Sequence, residues 1–127
     1  MTKKIKYTVE YPVRCSPAIL YGFLSTSSGL QEWFADKVED EDGVFSFSWS
    51  GGAAEEAELL EKEENKMVRF HWVDSPKDEF FELNIESSEV TNQTILVIHD
   101  FAEKKDIKDQ SQLWETQVKE LFHRLGS

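Results

Sequence analysis

The sequence predicts an α+β domain: a curved antiparallel sheet, two short helices after its first strand, and one long helix at the C-terminal end. Residues 4–13 alternate apolar and polar side chains with the period of a strand that buries one face. Residues 107–125 carry an apolar stripe at helical spacing. Between them lie alternating runs broken by turn residues. No repeat, low-complexity tract or linker divides the 127 residues, so one domain over 1–127 is expected.

In the first strand Ile5, Tyr7, Val9, Tyr11 and Val13 share one side, with Lys4, Lys6, Thr8 and Glu10 on the other. Pro12 cannot donate to a ladder and favours an edge or a strand end. Ser16 suits an N-cap and Pro17 the first turn of a helix reaching about Leu24, with Ile19, Leu20, Phe23 and Leu24 on one face. Ser28-x-x-Gln31 has capping-box spacing, so a second short helix should start at Ser28 and carry Leu30, Trp33 and Phe34 on one face. Asp42-Gly43 signals a hairpin, after which Phe45, Phe47 and Trp49 alternate with small residues until Gly51-Gly52.

Further along, Val68, Phe70 and Trp72 alternate with Met67, Arg69 and His71, and Phe81, Leu83 and Ile85 form the next apolar face. Residues 94–101 set Ile95, Val97, His99 and Phe101 on one side and Leu96 and Ile98 on the other. The segment 53–64, AAEEAELLEKEE, has two readings: propensity favours helix, whereas its place between turn signals in a series of strands favours strand. In the last helix Ile107, Trp114, Val118, Leu121, Phe122 and Leu125 form the stripe and Leu113 widens it. Asp106 can cap its start, and His123, Arg124 and Gly126 suit its end. At ~1.5 Å per residue this helix is about 28 Å long, enough to lie along the whole width of a sheet.

Composition narrows the function classes. With 14 Lys+Arg against 25 Asp+Glu the formal charge is −11, which opposes binding to a phosphate backbone, so nucleic acid is not an expected partner. Charged residues make up 31% of the chain, yet 9 Phe, 4 Trp and 3 Tyr are far more aromatic surface than disordered segments carry. A lone Cys15 has no internal partner for a disulfide and fits a reducing compartment. No apolar run approaches the ~20 residues of a membrane span, and no apolar signal follows Met1–Lys6, so a cytoplasmic setting is expected.

The sequence resembles the START-like superfamily, and within it the activator of heat-shock protein 90 ATPase homologue-like group. The matching residues are Pro17-x-x-Leu20-Tyr21-x-x-Leu24 leading into Leu30-x-x-Trp33-Phe34, then Asn65–Trp72, then Leu113-Trp114 with Val118, Leu121 and Leu125. The resemblance implies the helix-grip fold, a sheet of about seven strands wrapped around the terminal helix with a cavity between them. It also implies that residues 53–64 form a strand, against their helical propensity. Members bind lipids, sterols, polyketides or other apolar molecules, some act as cyclases or co-chaperones, and homodimers are common among them.

Expected ligand-lining residues follow from the large rings on the sheet. Phe45, Phe47, Trp49, Phe70 and Trp72, with Trp114 and Val118 from the helix, form either a filled core or a core that also borders a cavity. His99, grouped with Ile95, Val97 and Phe101, is read as inward-facing, either as a ligand's polar anchor or as a hydrogen-bonded structural residue. His71 should face solvent and His123 should act as a helix-dipole partner. The histidines lack metal-ligand spacing. Asp40-x-Asp42-Gly43 fails as a calcium loop because the last ligand position falls on Trp49. Gly51-Gly52 precedes acidic residues that would repel phosphate, and Cys15 reads as an inert thiol.

The leading expectation is therefore a non-enzymatic protein that holds a small apolar molecule, with no cofactor and no metal. A protein-interaction or co-chaperone module is the alternative. A cyclase-like enzyme is a third reading, and would need His99, with Asn84 or Glu82, to converge on the cavity.

Overall fold

A computed structural model describes residues 4–126. Its elements are β1 (Lys4–Val13), α1 (Pro17–Ser25), α2 (Ser27–Gln31), β2 (Lys37–Glu41), β3 (Val44–Ser48), β4 (Glu55–Glu63), β5 (Met67–Trp72), β6 (Phe81–Ser87), β7 (Thr94–Glu103) and α3 (Ile107–Leu125). One 3₁₀ turn, Lys104–Asp106, leads from β7 into α3. The strands form a single seven-stranded antiparallel sheet in the order β1-β7-β6-β5-β4-β3-β2, the helix-grip arrangement. No helix among the described residues is long and apolar enough to cross a membrane.

Pro12 sits on an edge, because β1 pairs only with β7. The other edge, β2, exposes Lys37, Glu39, Asp40 and Glu41, charges that discourage pairing with a foreign strand. Asp42 and Gly43 both take positive φ, 52° and 83°, as a two-residue hairpin between β2 and β3 requires.

At the helical corner the expected caps hold in one case and shift in the other. The Ser16 side chain accepts the Ile19 N–H at 3.2 Å and caps α1. The cap of α2 is Thr26 rather than Ser28: its hydroxyl accepts the Gly29 N–H at 3.0 Å and donates to the Gly22 carbonyl at 2.8 Å. One side chain thus closes α1 and opens α2, which a capping box at Ser28 could not do. Gln31 reaches forward, accepting the Val38 N–H at 2.9 Å and tying α2 to β2.

Residues 55–63 are a strand, as the resemblance implies. Ala57 is buried between its ladder partners Phe45 and Trp72, so the helical propensity yields to pairing on both sides. A bulge at Leu60 resets the register, leaving Leu60 half exposed and turning Glu61 and Glu63 to the outer face opposite Arg69 and Met67. That extra residue breaks the period-2 alternation, which is why the segment imitates a helix.

The inner face of the sheet carries Phe45, Phe47, Val68, Phe70, Phe81, Leu83, Leu96 and Ile98, packed against Leu20, Leu24, Leu30, Phe34, Trp114, Val118 and Leu121. α3 comes closest to β1 and β7 rather than lying evenly along the sheet. On the β2–β5 side its distance from the strands is bridged by aromatic rings.

The α1–α2 corner generates a prediction. A Cβ at Gly29 would lie 2.1 Å from the Gly22 carbonyl oxygen, whereas one at Gly22 meets nothing within 4 Å. Gly29→Ala should therefore destabilise by about 1–3 kcal/mol. Gly22→Ala, inside α1, should stabilise by about 0.5–1 kcal/mol. Urea unfolding of both variants reads the two signs, and shifts of the same sign would refute the close approach.

Candidate functional site

Phe34 follows α2 in a turn held by its N–H to the Leu30 carbonyl at 2.8 Å. Its ring meets Phe47 edge-on at 5.0 Å, Trp33 at 5.6 Å and Trp49 at 5.8 Å. It also stacks on Phe81 at 5.7 Å and Trp114 at 5.6 Å. Aromatic pairs in these geometries add about 0.5–1.5 kcal/mol each beyond the area they bury. The Phe34 carbonyl meanwhile accepts the Trp49 indole N–H at 2.8 Å and the Gln117 amide at 2.9 Å. One residue so fixes the α2–β2 segment, the end of β3 and the middle of α3 relative to one another.

Beside this hub an open cleft of about 780 Å³ runs between α3, the α2–β2 segment and the ends of β3–β5. Trp33, Phe34, Trp49, Trp72 and Trp114 line it, with Glu32, Asp36, Glu55, Asp100, Gln110, Leu113, Thr116, Gln117, Glu120 and Arg124. The expected lining residues divide accordingly. Trp49, Trp72 and Trp114 border the cleft, whereas Phe45, Phe47, Phe70 and Val118 lie behind it in filled core. Phe47, for example, packs against Phe45, Phe70, Trp72, Trp49 and Phe34, so nothing remains between it and the helix side. The free space is a groove open to solvent along α3, not an enclosed chamber.

His99 is not the polar anchor. It keeps the expected company of Ile95, Val97 and Phe101, but that side of β7 is the outer one. The inner side carries Leu96, Ile98, Asp100 and Ala102. On the outer face the His99 Nδ1 lies 2.8 Å from the Thr8 hydroxyl, and His99 pairs across the ladder with Glu82. Arg69 donates its Nε–H to Glu82 at 2.6 Å and Asn84 donates at 2.7 Å. Burial pushes the Glu82 carboxyl up, but these hydrogen bonds and the Arg69 charge outweigh it and hold the group below the ordinary range. This outer cluster is self-satisfied, and none of its members borders the cleft. His71, on the same face, is half-buried rather than free in solvent, with Nδ1 2.8 Å from the Glu79 carbonyl. Cys15 is half-buried, and burial pushes its thiol up, away from the reactive thiolate.

The polar group that does reach the cleft is Asp100, one position along the strand. Tyr7 Oη and the Trp114 indole N–H donate to Oδ2 at 3.1 and 2.9 Å, and the Phe101 N–H donates to Oδ1 at 2.8 Å. Burial raises the Asp100 carboxyl above the usual carboxylate range, with the hydrogen bonds and Lys4 only partly opposing it. Burial and the Asp100 charge together push the Tyr7 hydroxyl far up. Asp100, Trp72 and Gln110 also line a second hollow of about 370 Å³ beyond Phe80 and Phe101, so the two depressions adjoin at these residues. Strand parity could have found Asp100, since Leu96 and Ile98 alternate with it. The larger number of apolar residues on the opposite side points the other way.

Comparison with known proteins gives one family. A model of the START-like superfamily domain matches residues 1–127. A Bacteroides fragilis protein known from a solution NMR structure is 32% identical with a TM-score of 0.68, covering 98% of this chain and 93% of that one. The Aha1 dimer of Colwellia psychrerythraea is 20% identical with a TM-score of 0.75, covering 93% of each chain. DynU16, a protein of the dynemicin biosynthetic locus, is 13% identical with a TM-score of 0.79, covering 96% of this chain and 47% of its own. No curated protein matches this chain.

Two predictions follow from the geometry. Phe47→Ala should cost about 3–5 kcal/mol, as for a ring in filled core, and Trp72→Ala clearly less, because Trp72 already borders open space. Equal losses in chemical denaturation would contradict the cleft. The two acids should show opposite pH dependence. Asp100, raised by folding, favours the folded state below the ordinary carboxyl pKa, and that contribution is lost as pH rises through its raised value. Glu82, lowered by folding, contributes above the ordinary value and loses that contribution as pH falls through its depressed value. Between about pH 3 and pH 7 the wild type should lose stability relative to Asp100→Asn and gain it relative to Glu82→Gln. Slopes of one sign would refute the assignments.

Proposed function

This chain belongs to the START-like superfamily, and from that premise we propose that it is a cytoplasmic binding protein without chemistry of its own. It holds a small, largely apolar molecule in the cleft between α3 and the β3–β5 end of the sheet. The fold commonly binds hydrophobic ligands. The observation that carries the reading is the cleft itself: at about 780 Å³ it lies within the ~300–1,000 Å³ typical of small-molecule sites, and its wall combines four indoles and Phe34 with a rim of polar and acidic side chains. Covering about 200 Å² of apolar ligand surface would yield ~5 kcal/mol gross before association costs.

Asp100 supports a binding role over a catalytic one. Three donors already occupy its oxygens, and His99, the other acid–base candidate, lies on the opposite face of the sheet with Glu82 and Asn84. Asp100 is thus available as an anchor, while the acid–base partners that the sequence suggested lie on the other face.

A second reading rests on a separate surface. Glu39, Glu41, Glu56, Glu58, Glu61 and Glu63 are all exposed on the outer face of β2–β4. A basic protein partner would be steered to such a face, and that binding would weaken with salt. Homodimers belong with this reading, since the Colwellia relative of the same fold is a dimer.

The test of the leading reading uses a neutral probe, naphthylmethanol, titrated against tryptophan fluorescence. The expected result is saturable quenching that is lost in Gln110→Trp, which fills the junction of the two hollows. No saturable quenching, together with nothing released on solvent extraction and mass spectrometry, would leave the outer acidic face as the functional surface.

A further inference from the structure

The charged residues around the cleft are unevenly divided. Glu32, Asp36, Glu55, Asp100 and Glu120 line it, against Arg124 as the single base among the lining residues. Arg124 is already engaged: its Nε lies 3.1 Å from Glu120 and 3.5 Å from Glu32. Asp36 accepts the Ser50 N–H. Lys4, the cation whose field reaches Asp100, is paired with Glu79 at 3.4 Å. Glu55 sits on the inner face of β4 opposite Phe47, with no ion-pair partner among the described residues. The cleft thus joins an indole-rich wall to Asp36, Glu55 and Asp100, which make no ion pair with the one lining base.

We propose that the preferred ligand of this cleft is an organic cation: an apolar or aromatic body seated on Trp49, Trp72 and Trp114, bearing an ammonium group that faces Glu55, with Asp100 a more distant carboxylate of the same wall, three strands away. The inference rests on the cleft being a ligand site and adds the chemical class. Indole faces attract cations through their quadrupole, most effectively for weakly hydrated quaternary ammonium groups. Carboxylates in a partly desolvated wall add attraction that bulk water would otherwise weaken. The same wall disfavours a fatty acid, whose carboxylate would sit among like charges with only an already paired arginine to meet it. Hydrophobicity alone would make a neutral ligand the best occupant; the charge census makes it second.

Three naphthyl probes separate the possibilities: naphthylmethyl-trimethylammonium, naphthylmethanol and naphthylacetate, titrated at low and at high salt. The cation should bind at least about tenfold more tightly than the neutral alcohol, and the anion least of all. Glu55→Gln, at an exposed position that does not threaten the fold, should reduce the cation's advantage several-fold and leave the alcohol unchanged. Asp100→Asn, three strands away in the sheet, should reduce it less. Because the whole chain is acidic, Gln110→Trp is the control: cation binding that persists in it belongs to the outer surface and overturns the proposal. Equal or tighter binding of the alcohol or the anion, lost in Gln110→Trp, overturns the charge preference while leaving the binding reading intact. Binding of none of the three removes both.

Discussion

Phe34 is the joint on which this architecture turns. Its ring sits where the sheet, α3 and the segment after α2 would otherwise leave a gap, stacking on Phe81 and Trp114 and meeting Phe47 and Trp49 edge-on. Its carbonyl, left free once α2 has ended, takes one hydrogen bond from Trp49 and one from Gln117. A backbone oxygen enclosed by rings would be costly if unpaired. Here the same two bonds that satisfy it also set how far α3 stands from β3. The cleft is a consequence of that spacing: the helix is close to β1 and β7 and is held off the other half of the sheet by aromatic rings.

Polar groups are sorted by strand parity. On the outer face, Arg69, Asn84 and the ladder neighbour His99 surround Glu82 and keep it charged. On the inner face, Asp100 receives only neutral donors, from Tyr7, Trp114 and its neighbour's N–H, and burial dominates. These adjacent ladder positions therefore have opposite electrostatics. The outer acid strengthens the folded state at neutral pH. The inner one is held by burial above the ordinary carboxylate range and borders the cleft, within reach of whatever enters it.

Much of this arrangement was legible in the residues. The alternation in β1, the Ser16-Pro17 start of α1, the Asp42-Gly43 hairpin and the stripe of α3 each follow from local periodicity or turn chemistry, and all are present. Features set by contacts distant in sequence were not. Residues 55–63 look helical because a bulge hides their alternation, and only their pairing with β3 and β5 makes them a strand. The Thr26 cap depends on a close approach between α1 and α2. For the site, Trp49, Trp72 and Trp114 were readable as large rings on one face. The choice between His99 and Asp100 depends instead on which side of β7 the helix covers, and both sides are apolar in sequence. Phe34 reads as a packing residue; its carbonyl, which has no sequence signature, gives it the larger role.

The central claim is that the groove beside Phe34 receives a ligand on its indoles. The four indole N–H resonances in a two-dimensional nitrogen–proton NMR spectrum test it most directly, because four tryptophans give four such signals. Titration with the naphthyl ammonium probe should move the Trp49, Trp72 and Trp114 signals together along one saturable curve. Trp33, whose N–H is turned to the Phe23 carbonyl of α1 outside the cleft, whereas those of Trp49 and Trp114 meet the cleft-lining Phe34 and Asp100, should move least. Unmoved indoles, with shifts confined to amides of the outer face such as Glu58 and Glu61, would contradict the account.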